Sequence, residues 1–320
     1  MRRWIKPGLT ILLFGAAAVY LFSSADNIRL IRRLDTVSIV LIVLALLVNI
    51  YLNGLQFQLL AGVFGVRMTA RESFGISAYN TMINHYLPAR GGTLLRAAYF
   101  KRVHNLAYSH YAAILSVAYL VSFLLAAGLG LAITPLTRRT ASGWPGEMAG
   151  IFGMLLAATV ALTVVILLAA RHPVRTRWPR LNRILALFGE GIRAAAGAPG
   201  CLARVAVVTI LNILVFGSHV WLTFHALGLP LGLPETIAIQ CLVYFSLVVS
   251  ITPAHLGIQE GIIVFGSHLF GVAFAPAMVA AIINRTLTTI VVFAAGLVFV
   301  RDFGMILPDG GGSGPKYNAP

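Results

Sequence analysis

Charge is what this sequence has least of. Asp, Glu, Lys and Arg make up 10% of its 320 residues, and nine of these are acids, against 59% hydrophobic residues. A mean hydropathy of +0.89 is too high for a soluble domain built round one core, so the chain reads as a polytopic membrane protein. It has no acidic cluster to hold a divalent cation. Cys201 and Cys241 lie in or beside apolar segments without metal-ligand spacing, and they say nothing about redox compartment. His85, His219, His225, His255 and His268 likewise share no ligand spacing. A Gly-x-Ser-x-Gly elbow, a His-Glu-x-x-His pair and a phosphate-cradling Gly-x-x-x-x-Gly-Lys loop are all missing, so the chain cannot itself be a nucleotide-powered pump. No metal and no cofactor is expected. The net charge of +15 does not point to nucleic acid, because the basic residues fall mainly in short connections between apolar runs, where they orient a membrane protein.

What the sequence does contain is a series of long apolar runs. The first, residues 9–22, follows Arg2, Arg3 and Lys6 and is read as a retained first span, not a cleaved signal. Further full spans are expected at 37–64, 108–133, 148–170, 202–227 and 276–300, each long enough to cross a hydrocarbon core of ~30 Å. Asn49, Asn53, Gln56 and Gln58 make the second half of the 37–64 run polar, and such side chains should face other helices. Residues 171–204 carry seven Arg and a single acid, Glu190, which predicts a cytoplasmic connection and, with the N-terminus, fixes the orientation. Within it Leu181, Ile184, Leu185, Phe188 and Ile192 recur at helical spacing, as in an interfacial amphipathic helix. The Gly-rich tail, 303–320, is expected to be disordered.

Two stretches do not fit a straight span. Pro88-Ala89-Arg90-Gly91-Gly92 follows only 14 residues of apolar segment from Phe74 and precedes a short run ending near Val103. Pro253-Ala254-His255-Leu256-Gly257 repeats the Pro-Ala-x-x-Gly pattern between the runs 235–251 and 259–270. Proline removes a donor and glycine loosens the backbone, so Pro88, Gly91, Gly92, Pro253 and Gly257 mark helix breaks. Three full spans lie between the two breaks, which therefore enter from opposite faces. The expected fold is all-α, with about six full spans and two broken or re-entrant elements in one membrane domain, 1–302. Its repeat-like halves, 74–133 and 235–300, form an inverted repeat with a binding site at mid-depth.

Glu260 is the one acid deep in an apolar element, and Arg285 the one base well inside a full span. A lone charge at the centre of a bilayer costs roughly 3 kcal/mol, so the two are expected to face each other. Such a pair can simply join two helices, or Arg285 can hold an anionic substrate group that Glu260 orients. Both can be true. Arg90 and Arg96 offer guanidinium forks suited to phosphate, and helix starts near Thr93 and Gln259 would add backbone donors. The same two arginines can also serve as ordinary membrane-surface anchors beside Lys101 and Arg102. Asn284 and His255 complete the set of candidate cavity residues.

These positions, Pro88 to Gly92 with Arg96, Pro253 to Gly257 with Glu260-Gly261, and Arg285, resemble the lysylphosphatidylglycerol synthase transmembrane region family, the flippase-like membrane part of multiple peptide resistance factors. The resemblance covers about residues 9–302. It implies that Arg90, Arg96, Gly257, Glu260 and Arg285 belong to a central cavity, and that this is a free-standing form without the aminoacyl-transferring domain. Thr93 stands where the family usually has an acid, and Val117, Ala118 and Tyr119 where a charged patch is common, so substrate or coupling is expected to differ. The expected function is translocation of an anionic or aminoacylated phospholipid, or of a polyprenyl-phosphate-linked lipid, across a bacterial or archaeal cytoplasmic membrane, without enzymatic chemistry. A membrane-embedded transferase and a non-catalytic partner of a separate lipid synthase are the competing readings, and a homo-oligomer fits either.

Overall fold

The computed structural model describes residues 25–86, 91–137, 144–171, 177–246 and 257–303. Every described element is helical: α1 (Ala25–Ile31), α2 (Thr36–Gly62), α3 (Ala70–Tyr86), α4 (Gly91–Val103), α5 (Tyr108–Ile133), a 3-10 turn (Thr134–Leu136), α6 (Trp144–Arg171), α7 (Pro179–Ala196), α8 (Pro199–Ala226), α9 (Leu233–Ser246), α10 (Ile258–Leu269), α11 (Phe274–Val298) and α12 (Val300–Phe303). The protein is an all-α polytopic membrane protein. Five of these helices, α2, α5, α6, α8 and α11, are long and apolar enough to cross a bilayer. They correspond to the five later spans expected from sequence. The first expected span, 9–22, and the expected tail from residue 304 lie outside the described residues, as do Pro88, Arg90, Pro253 and His255.

Local chemistry sets several of the helix boundaries. Asp35 caps α2, its side chain accepting from the Ser38 backbone N–H at 3.3 Å. The start of α3 lies earlier than the apolar run suggests because Thr69 and Glu72 form a reciprocal cap: the Glu72 N–H donates to Thr69 Oγ1 at 3.2 Å, and the Thr69 N–H to the Glu72 carboxylate at 3.4 Å. Gly257, just before α10, has φ +86°, a left-handed conformation that an L side chain resists. The glycine that closes the second Pro-Ala-x-x-Gly stretch thus has a definite backbone role.

Two helical hairpins flank the spans. In the first, α3 packs on α4, and a Cβ added at Gly92 would run into the Asn80 carbonyl, so only glycine permits this approach. The second pairs α9 with α10. The hairpins open toward opposite ends of α11. At its C-terminal end, Phe299 packs edge-on against Phe74 at 5.8 Å, and Arg71 pairs with Asp302 at 3.6 Å. At its N-terminal end, the Phe274 ring lies 4.1 Å from that of His268, the last turn of the second hairpin. Contacts between the two groups of helices are reciprocal: α2 packs on α8, α11 on α3, and α5 on α9.

Two apolar clusters fill the ends of the bundle, one including Leu60, Phe100, Ile114 and Phe299. The other includes Phe152, Phe224, Ile239 and Ile263. Basic side chains gather at the first end, where Arg71, Lys101, Arg102 and Arg301 begin or terminate their helices and Arg67 lies in the connection between α2 and α3. The amphipathic α7 also packs there, against α5 and α6. Ile192 is fully enclosed in this packing, whereas Leu181 and Ile184 remain exposed, so only the second half of the apolar stripe is a protein contact.

Candidate functional site

Three of the four polar residues singled out on α2, Asn49, Asn53 and Gln56, point inward, as their helix-facing expectation requires. Asn49 Nδ2 donates to Asn212 Oδ1 at 2.8 Å, and Tyr244 donates its hydroxyl to the same oxygen at 2.9 Å. Gln56 Nε2 donates to Thr209 Oγ1 at 3.0 Å and to Ser122 Oγ at 3.3 Å. One turn away Asn53 Oδ1 accepts from Ser77 Oγ at 2.9 Å. Gln58 instead turns to the end of the helix and donates to the Met68 carbonyl at 2.8 Å. In hydrocarbon these groups would each be costly, and their mutual bonds join α2, α3, α5, α8 and α9 across the middle of the bundle.

Within this layer lies a cavity of about 250 Å³. Seven of the longer helices contribute to its wall, together with the first turn of α10. Asn49, Asn53 and Gln56 line it from α2, Asn80 and Asn84 from α3, and Tyr111 and Tyr119 from α5. Among the described residues its lining includes no carboxylate.

Two arginines reach it from the two hairpins' surroundings. Arg96, on α4, is 2% exposed, and its guanidinium carbon lies 4.1 Å above the Phe57 ring centroid. One terminal nitrogen donates to Asn53 Oδ1 at 3.2 Å and to Ser77 Oγ at 3.4 Å, while Nε has no hydrogen-bond partner among the described residues. No acid is salt-bridged to it there. This burial excludes a surface-anchor role for Arg96. Arg285, on α11, is held differently: Nε lies 3.4 Å from Glu260 Oε1, and a terminal nitrogen donates to Gln259 Oε1 at 3.4 Å. The facing of Glu260 and Arg285 expected from their isolation in the sequence is what the structure has. Glu260 also accepts the Gly257 backbone N–H at 2.8 Å, so one carboxylate both caps α10 and neutralises Arg285.

Other candidates are placed elsewhere. Glu260 does not line the cavity itself and meets it only through Arg285. Asn284 also departs from the expected site. One residue along a helix is a turn of about 100°, which sends Asn284 away from the cavity toward α8, where its Oδ1 accepts from Thr223 Oγ1 at 3.4 Å. Gly91 and Gly92 start α4, and the Gly92 N–H donates to Asn84 Oδ1 at 2.9 Å. That amide side chain, standing where a helix start needs an acceptor, was not singled out by sequence. Nor were Asn80, Tyr111, Asn212 and Tyr244, and Gln259 was read only as a helix start, since a neutral polar residue in an apolar run carries little signal about which neighbour it will meet.

A second polar cluster sits at the basic end. Glu72 accepts from the Tyr99 hydroxyl and lies 2.7 Å from His104 Nε2, so the two arms of the first hairpin are clasped at their open end. Burial alone would raise the Glu72 carboxyl, but the hydrogen bonds from His104 and Tyr99 outweigh it and hold the group below its ordinary value.

Comparison with known proteins agrees with the motif resemblance. The family described as "Lysylphosphatidylglycerol synthase TM region" matches residues 4–296. No curated protein gives a significant match.

Proposed function

Because the chain belongs to the lysylphosphatidylglycerol synthase TM region family, we propose that it is a lipid translocase. It moves an anionic or aminoacylated phospholipid, or a polyprenyl-phosphate-linked lipid, between leaflets by receiving the headgroup in the central polar cavity while the acyl or prenyl chains stay in the membrane. The observation that carries this reading is the cavity's position, in the polar layer between two hairpins that open toward opposite ends of α11. A closed apolar bundle would have no use for such a layer, because each polar side chain in it must find a partner that lipid cannot supply.

In this reading the halves 74–133 and 235–300 are inverted repeats, and the reciprocal packing of α11 on α3 and α5 on α9 supports it. Rocking one half against the other would open the cavity alternately to the two leaflets. The basic end faces the cytoplasm of a bacterial or archaeal cell, following the charge bias of inner-membrane proteins. Arg96 and Arg285 contact the headgroup phosphate, Gln259 and Glu260 position Arg285, and no bond is made or broken.

The test is transbilayer exchange of acyl-labelled phospholipid in sealed proteoliposomes. With wild type, label that starts in the inner leaflet should become accessible to a membrane-impermeant reductant at a rate well above that of protein-free vesicles, and Arg285→Ala, folded to the same extent, should lose that excess. Well-folded wild type that exchanges no phospholipid or polyprenyl phosphate lipid overturns the proposal.

A further inference from the structure

The cavity's unsatisfied atoms carry information about its ligand. Three buried polar atoms in the wall have no hydrogen-bond partner among the described residues: Arg96 Nε, Asn80 Oδ1 and the Tyr111 hydroxyl. Their residues are 2%, 7% and 4% exposed, so bulk water does not reach them freely, and leaving such atoms unmet in a finished site is costly. The guanidinium Nε–H requires an acceptor, the Asn80 oxygen requires a donor, and a phenol can serve as either.

Charge narrows the ligand further. The Arg285 charge is answered by Glu260, whereas among the described residues Arg96 is answered by neutral groups, Asn53, Ser77 and the Phe57 ring. Among the described residues the wall therefore holds the uncompensated positive charge of Arg96 and no carboxylate of its own. An ammonium-bearing headgroup would meet Arg96 with like charge and find no acid in the wall to offset its loss of water. A phosphodiester would satisfy Arg96, and a neutral hydroxyl beside it would donate to Asn80 and exchange a hydrogen bond with Tyr111.

Resting on the translocase reading and narrowing it, we infer that of the lipid classes named there the cavity selects a singly anionic phosphodiester lipid whose headgroup carries neutral hydroxyls, of the glycerol, inositol or glycosyl kind, and excludes the aminoacylated ones. Arg96 reads the phosphate, and Asn80 and Tyr111 read the hydroxyls.

Three acyl-labelled probes separate these elements in the same vesicles: phosphatidylglycerol, phosphatidylethanol, which keeps the phosphodiester and loses the hydroxyls, and lysyl-phosphatidylglycerol, which adds amines. Phosphatidylglycerol should exchange fastest, phosphatidylethanol about tenfold slower, and lysyl-phosphatidylglycerol slowest, since one buried hydrogen bond is worth about a factor of ten. Tyr111→Phe should narrow the gap between phosphatidylglycerol and phosphatidylethanol, and Arg96→Gln should slow both. Equal or faster exchange of lysyl-phosphatidylglycerol overturns the charge selection, and equal rates for the other two overturn the hydroxyl selection. Thermal stabilisation of the detergent-purified protein by short-chain forms of the same three lipids gives the ranking without transport. If no lipid is moved but phosphatidylglycerol stabilises best, the translocase reading falls and the selectivity stands. If the three stabilise equally, the selectivity falls by itself.

Discussion

Asn49 and Asn212 meet side chain to side chain at 2.8 Å, each the fourteenth residue of its helix counted from Thr36 and Pro199. The contact joins α2 and α8 at their midpoints, and both helices offer a glycine five residues further on: Gly54 lets α3 approach α2, and Gly217 lets α9 approach α8. A polar pair at the crossing point of two apolar helices fixes their register, because sliding either one would leave an amide in hydrocarbon. Replacing both by Leu should cost less than the sum of the single replacements, with a coupling of about 0.5–1.5 kcal/mol in a double-mutant cycle read by unfolding in detergent. Strict additivity would show that the pair contributes no coupling.

The Glu260–Arg285 pair should behave asymmetrically. Removing one member leaves the other charge buried, at a cost of about 3–5 kcal/mol, whereas Glu260→Gln together with Arg285→Gln should recover much of that loss. Melting temperatures of the three variants decide it. A double variant no more stable than the worse single would mean that the charges are not each other's main partners.

At Gly257 no described residue comes within 4 Å of an added Cβ, so among the described residues the cost of a side chain there is conformational. Gly257→Ala should lose about 1–2 kcal/mol, and Gly257→Asn less, since Asn tolerates the left-handed region. Equal losses for the two would point to a clash instead.

The clasp of Glu72 by Tyr99 and His104 predicts an acid limb in stability. A carboxyl whose folded value is depressed contributes stability that is fully present above its unfolded value of about 4.3, and that disappears as pH falls through the folded value. Glu72→Gln should flatten the acid side of a melting-temperature profile and lower the neutral plateau. An unchanged acid limb would remove Glu72 from the account.

The spans were legible because a bilayer demands about twenty apolar residues in a row, a requirement written directly into the sequence from Tyr108 to Ile133 and from Phe274 to Val298. Glu260 and Arg285 were legible because two isolated charges in such a setting have few possible partners. Asn284 was not, because its neighbour Arg285 marks the right helix but says nothing of phase, and a single step round the axis changes which surface a side chain serves. The early start of α3 could have been read from Thr69 and Glu72, a spacing that caps a helix in any environment. The neutral lining outside α2 could not. Asn80, Tyr111 and Gln259 are ordinary residues until folding brings three separate segments round one space.

One carboxylate holding both Arg285 and the Gly257 amide makes the last span and the second hairpin a single mechanical part. Sliding α11 by one helical pitch, about 5.4 Å, would pull Arg285 out of reach of Glu260 or drag the first turn of α10 with it. A shift of the span is thereby converted into tension at the start of its neighbour, so Glu260 acts as a clutch plate as much as a counter-ion.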